Sequence, residues 1–251
     1  MSTAALCLIP MAEIRLADAA RFTERPPLPH QLAAWNQLQE RLSGQPDLLA
    51  EFAETFRAEP PAKPGMLQPI TGTDGSIELP GFPFFSQNDD GPEGFRHCQS
   101  SSIAMCLRYL KVAGIRDDLD YLRLVERHGD TTSQAAHAAA LKELGVRARF
   151  STTMTQGQLL GELKGGRPCA IGVLHHGPYS APTGGGHYIA VFGATVSSWR
   201  VQDPYGELDV LNGGWTAQGG NSGKNQLYSR RGLNPRWLHP GPANGWGWLF
   251  S

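Results

Sequence analysis

Thirty glycines and 19 prolines among 251 residues limit what this chain can build. They fall mostly outside the stretches with helical periodicity. Such punctuation favours many turns and a β-containing fold over a helix bundle. The length suits one large domain, or a domain with an appendage. A content of 40% hydrophobic and 18% charged residues is that of an ordinary globular chain. The formal net charge of −1 leaves no electrostatic footprint for nucleic acid or an anionic membrane.

Within this broken pattern, Phe95 to Tyr109 reads as a loop delivering Cys98 to the start of a buried helix. Ile103, Cys106, Leu107 and Leu110 recur at the spacing of one helical face. Ser100, Ser101 and Ser102 are N-cap residue types placed just before that face. A cysteine at a helix N-terminus feels unpaired backbone N–H groups and the positive end of the helix dipole. Both favour the thiolate, the nucleophilic form. A lone cysteine is more often a buried structural residue, so the nucleophile reading needs partners elsewhere.

The four cysteines, at 7, 98, 106 and 169, show no CxxC pair and no zinc-finger spacing. They read as reduced thiols in a protein made in a cytosol. No apolar run approaches the roughly 18 residues that a membrane span needs. Ala4 to Met11 is apolar, but no Lys or Arg precedes it and Glu13 follows, a poor secretory signal. The amphipathic pattern begins only after Met11, which is a second candidate start.

Residues 1–64 read as a helical hairpin and linker, and 65–251 as the main domain. Leu32, Trp35, Leu38 and Leu42 make one helical stripe, and Leu48, Leu49, Phe52 and Phe56 a second. Two short helices bury little alone, so they need the main domain or a partner. Strand signals begin at Thr71, with Ser76 to Pro80 a short strand. The acidic loop Asp89 to Gly94 is an ordinary turn sequence and a weak cation site. Helices are expected over Asp117–Arg127, Ser133–Leu144 and Thr155–Leu163. Strands are expected at Val146–Phe150, Arg167–His175, Gly184–Gly193 and Ser198–Asp203. Residues 212–225 read as a flexible loop or flap, and 237–250 as an aromatic, glycine-rich tail.

A thiol needs a base, and the base needs a partner that orients it. His187 starts an apolar strand behind three glycines, and Asp203 ends the next strand. Two adjacent antiparallel strands with a short turn would bring these residues side by side. A histidine starting a strand is by itself usually packing, and Asp-Pro-Tyr-Gly is usually a turn. The order Cys, His, Asp is harder to obtain by chance. Cys169, His175, His176 and His187 have loose spacing for zinc, and a metal there would compete with the base. No cofactor is expected.

These residues also carry a resemblance. Gln87 upstream of a helix-opening Cys98, then Gly-Gly-His-Tyr-Ile-Ala-Val-Phe-Gly from Gly185 to Gly193, then Asp-Pro-Tyr-Gly from Asp203, resemble papain-like cysteine peptidases related to the bacteriocin leader (double-glycine) peptidases. The likeness spans roughly residues 78–211. It looks closest to stand-alone members carried by cyanobacterial phages, which have a similar Cys-x-Ser-Ser-Ser and a Gly-Trp-Gly, here Gly245 to Gly247. Leu28 to Trp35 also resembles segments preceding catalytic domains in phage-type lysozymes. The resemblance implies an α+β papain-like fold with a helical part carrying the nucleophile and an antiparallel sheet carrying His and Asp. It implies Cys98 as nucleophile, His187 as general base and acid, Asp203 as orienter and Gln87 as oxyanion-hole donor beside the Cys98 N–H. The Gln-to-Cys spacing is longer than usual in the family, which leaves Asn88 and Gln99 as rival donors. The bacteriocin exporters' ATP-binding and transmembrane parts are absent from the sequence.

The expected activity is therefore a cysteine endopeptidase, acting on peptides or on the cross-links of peptidoglycan as a phage-type lysin. Such a protein is made in the cytoplasm and reaches the wall after release. Processing of leader peptides at small-residue sites, acyl transfer to an amine, and a non-catalytic binding module that kept the fold are the alternatives.

Overall fold

The computed structural model describes residues 68–251. The expected hairpin and linker lie outside the described residues. Two short strands come first, β1 (Ile70–Thr71) and β2 (Ile77–Glu78). A loop with 3-10 turns at Gln87–Asp89 and Gly94–Arg96 follows. Three helices come next: α1 (Cys98–Tyr109), α2 (Asp118–Glu126) and α3 (Gln134–Glu143). After them run β3 (Ala148–Met154), α4 (Gln156–Lys164), β4 (Cys169–His176), β5 (Thr183–Ala194) and β6 (Ser198–Gln202). The chain ends with β7 (Gly206–Leu208), β8 (Trp215–Gln218), β9 (Gln226–Ser229), α5 (Arg230–Trp237) and β10 (Gly245–Phe250).

Local hydrogen bonding sets the helix starts. The side chains of Asp117, Ser133 and Thr155 each accept a backbone N–H three residues on. Thr155 and Gln158 form a reciprocal capping box, and each cap of this kind contributes about 1 kcal/mol. α1 is different. Its N-cap is His97, whose side chain makes no capping bond. Ser100, Ser101 and Ser102 are not caps but lie inside the helix, fully buried. The helix begins at Cys98, as expected, and is buried almost all round, not along one stripe. Ile103, Ala104, Met105, Cys106 and Leu107 have no exposure at all.

The main sheet is antiparallel, in the order β1-β2-β5-β4-β10-β3, and β6 joins β5 to β9. β5 is the hub. Residues 183–191 pair with β4, and 190–194 pair with β6. Its first four residues are exposed and the rest are buried. His187 therefore lies within the strand, not at its start, at the point where the sheet enters the core. β7 and β8 form a separate two-stranded sheet, so part of the expected flap is ordered β-structure. The expected tail contributes the last residue of α5 and the strand β10, which runs between β3 and β4. There Gly247 passes close against the Ala170 and Ile171 backbone, where a Cβ would clash. Trp199, Trp237 and Trp248 fill the interior around these strands.

Among the described residues no helix is long and apolar enough to cross a membrane. Cys98, Cys106 and Cys169 are free thiols.

Candidate active site

Cys98 is the first residue of α1 and is half-buried. The first N–H groups of a helix have no partner within it, which leaves the Cys98 amide without a helical acceptor. α1 packs on β5, which brings His187 to that end. His187 Nε2 lies 2.8 Å from Asp203 Oδ1, and Cys98 is near enough to the ring to contribute to raising its pKa. With Nε2 committed to Asp203, Nδ1 is the nitrogen left for the thiol. The structure thus brings together three side chains that the sequence holds far apart.

Asp203 is fully buried and well supplied with donors. Its Oδ1 accepts from the backbone N–H groups of Tyr205 (3.1 Å) and Gly206 (3.4 Å) as well as from His187. Its Oδ2 accepts from the Tyr228 hydroxyl at 2.9 Å. Burial alone would lower the pKa of His187. The Asp203 charge and hydrogen bond, together with Cys98, outweigh it and push the pKa up to about 10. The surroundings thus favour the charged form of the imidazole, which lies next to sulfur. Trp215 stands edge-on to the ring at 4.7 Å and keeps solvent from that side. Tyr228 and Trp215 were not singled out from the sequence. The only signal for Trp215 was an aromatic in a glycine-rich stretch.

Arg236 fixes the surrounding loops. It is fully buried, and its guanidinium donates to the carbonyls of Val210, Leu174, His176 and Gly177. One side chain thereby joins the end of β4 to the segment leading into β8, which carries Trp215.

Gln87 is 1% exposed. Its backbone N–H donates to Pro204, which docks the Gln87 turn on the Asp203–Gly206 turn. Its side-chain Nε2 donates to the Gly94 carbonyl at 2.7 Å, while Oε1 has no partner among the described residues. One amide hydrogen closes the loop that leads to Cys98, and a second remains. Asn88 Nδ2 is engaged by the Tyr205 carbonyl at 2.9 Å. Gln99 Nε2 is engaged by Gln134 Oε1 at 2.7 Å.

A cavity of about 310 Å³ opens at Cys98, lined among others by Gln99, Gln134, Gly186, Tyr188 and Trp246. That is the small end of the roughly 300–1,000 Å³ range of ligand sites. Trp246 lies across β4, where any Cβ on Gly172 would overlap its indole.

Cys169 is buried inside β4. The rings of His175 and His176 sit 4.1 Å apart. Burial, then the neighbouring His176 and His187, lower the His175 pKa to about 4. Among the described residues no three His, Cys, Asp or Glu side chains gather as metal ligands would.

The Peptidase_C39 like family model matches residues 80–219, which contain all of the residues just described except Tyr228, Arg236 and Trp246. The chain belongs to the Peptidase_C39 like family. No curated protein matches it. Among solved structures, a Bacillus anthracis protein described as a C39-like peptidase is similar to it at 16% identity and a TM-score of 0.51. The match covers 71% of this chain and 98% of that one, and at this identity it speaks for the fold alone. The fold of this C39-like chain is α+β and papain-like, with helices leading into an antiparallel sheet.

Proposed function

We propose that the protein is a cysteine endopeptidase that works through an acyl-enzyme. The observation that carries this reading is the buried His187–Asp203 hydrogen bond beside Cys98 at a helix N-terminus, next to a cavity. In the proposed reaction His187 takes the proton of the thiol, so that sulfur reacts as the thiolate. The sulfur attacks a peptide carbonyl and the carbonyl oxygen takes the negative charge. The Cys98 N–H, and the second amide hydrogen of Gln87, are the proposed donors to that oxygen. His187 then gives its proton to the leaving amine, and the C–N bond breaks. Water enters, loses a proton to His187 and attacks the thioester, which releases the acid and restores the thiol proton to the site. Asp203 keeps the ring oriented and its charge balanced throughout.

The proposed substrate is a peptide with small side chains, in keeping with the cavity's modest volume and Gly186 in its wall. The finer reading is a peptidoglycan cross-link, cleaved as a phage-type lysin would. It rests on the likeness of the sequence to the phage-carried members of the family. The test is digestion of purified peptidoglycan and fluorescein-labelled casein, followed by mass spectrometry for new amino termini. The wild type is expected to produce them. Cys98→Ala is expected to lose at least about 10³-fold in rate with an unchanged circular dichroism spectrum. Equal rates would remove Cys98 from the reaction.

A further inference from the structure

Next to the reacting pair lies a hydrogen-bond chain that leaves one donor over. Trp248 Nε1–H can only donate, and it donates to Gln134 Oε1 at 3.1 Å. That fixes which way round the Gln134 amide sits, since the flipped amide would set two donors against each other. Gln134 Nε2 therefore faces the Tyr188 hydroxyl at 2.8 Å and donates to it. Its other hydrogen is directed to Gln99 Oε1 at 3.3 Å, while Oε1 also accepts from Gln99 Nε2. Every position on the Gln134 amide is taken. The Tyr188 oxygen is thereby an acceptor towards Gln134, and its own proton must point elsewhere. Among the described residues the hydroxyl has no other partner. It lines the cavity together with Cys98.

Resting on the function proposed above, we propose that Tyr188 donates this proton to a carbonyl oxygen of the bound peptide, and that Trp248 and Gln134 keep it aimed there. Tyr188 follows His187 on β5, and Gln99 follows Cys98 on α1. The Gln134 amide thus joins the residues after the two proposed catalytic groups and sets a substrate contact by the same bonds. Burial raises the Tyr188 pKa, with a smaller contribution from Cys98, so the phenol stays protonated and able to donate.

The test uses the full chain, with fluorescein-labelled casein and purified peptidoglycan as probes. Tyr188→Phe keeps the ring and removes the donor. It is expected to lower kcat/KM about ten- to a hundredfold. Gln134→Glu keeps the hydroxyl but presents only acceptors, so the Tyr188 proton turns away from the cavity. It is expected to cost a similar factor, and the double variant no more than either single one. The rate at which iodoacetamide modifies Cys98 should stay at the wild-type value in Tyr188→Phe, because Cys98 and His187 are untouched. A merely structural role would slow both reactions together. Wild-type turnover in Tyr188→Phe, or slowed alkylation to match slowed turnover, overturns the proposal while the Cys98 chemistry stands. Failure of Cys98→Ala to lose turnover would instead overturn the function on which it rests.

Discussion

His187 with Asp203 and His97 with Asp90 are the same two residue types at similar separations, 2.8 and 3.2 Å, with all four side chains at most 7% exposed. They lie on either side of Cys98 along the fold, one on the sheet and one on the loop ahead of α1. Their surroundings differ in donors and in neighbouring charge. Asp203 receives four hydrogen bonds, and its charge and hydrogen bond raise the pKa of His187. Asp90 sits among acids. Burial, then the charges of Asp89 and Asp117, raise its pKa to about 6. Asp118 nearby is likewise raised to about 6, by burial and then by Asp90. Asp118 Oδ2 and Ser101 Oγ between these groups make no hydrogen bond among the described residues. Burial lowers the His97 pKa. The first pair is therefore organised to carry charge, and the second to avoid it. Proximity of a histidine to a carboxylate does not make a charged pair; the remaining donors around the carboxylate decide.

The largest way to break this contrast is at Asp203. Asp203→Asn removes the charge that raises the His187 pKa and sets an amide against donors from Tyr228 or the 205–206 backbone. Turnover of casein or peptidoglycan is expected to fall about 10²- to 10⁴-fold, the scale on which the orienting acid of such a triad acts. A loss under tenfold would mean that the first pair does not depend on its anion.

The second pair is read through stability. A carboxyl group whose pKa rises from 3.8 to about 6 on folding favours the folded state below pH 3.8, and that contribution is lost as pH rises through about 6. Asp90 and Asp118 thus make the protein less stable between about pH 4 and pH 6. Asp118→Asn removes one of the two titrations and adds a donor beside Asp90. The difference in Tm between pH 4.5 and pH 7 attributable to this cluster is expected to shrink relative to wild type. About 2–4 °C corresponds to each kcal/mol in a domain of this size. An unchanged difference would show that the acids are not proton-binding in the folded protein.

What could be read from the sequence follows the range of the interactions. The starts of α2, α3 and α4 were legible because Asp117, Ser133 and Thr155 cap their own helices three residues on. The Cys98, His187 and Asp203 order was legible because each residue sits at the end of a recognisable apolar pattern. The start of α1 at Cys98 was legible too, but the role of its serines was not, because the surrounding core packs them and they do not cap. β10 was illegible because Gly245, Gly247 and two tryptophans show no strand alternation and read only as an aromatic, glycine-rich tail. It becomes a strand only where β3 and β4 supply its partners. Trp215, Tyr228 and the Gln134 amide act across contacts that no local pattern encodes. Pro235 inside α5 similarly conceals a helix that the buried Arg236 and Trp237 stabilise from outside.

The central claim is that a charged His187 activates Cys98. Its most direct measurement is the rate at which iodoacetamide alkylates Cys98, followed by peptide mapping between pH 5 and pH 7. With the His187 pKa near 10, the cation persists across that whole window. Wild-type Cys98 is then expected to react throughout it, and His187→Ala at least about tenfold more slowly at pH 6. Equal rates in the two proteins at pH 6 would contradict the account.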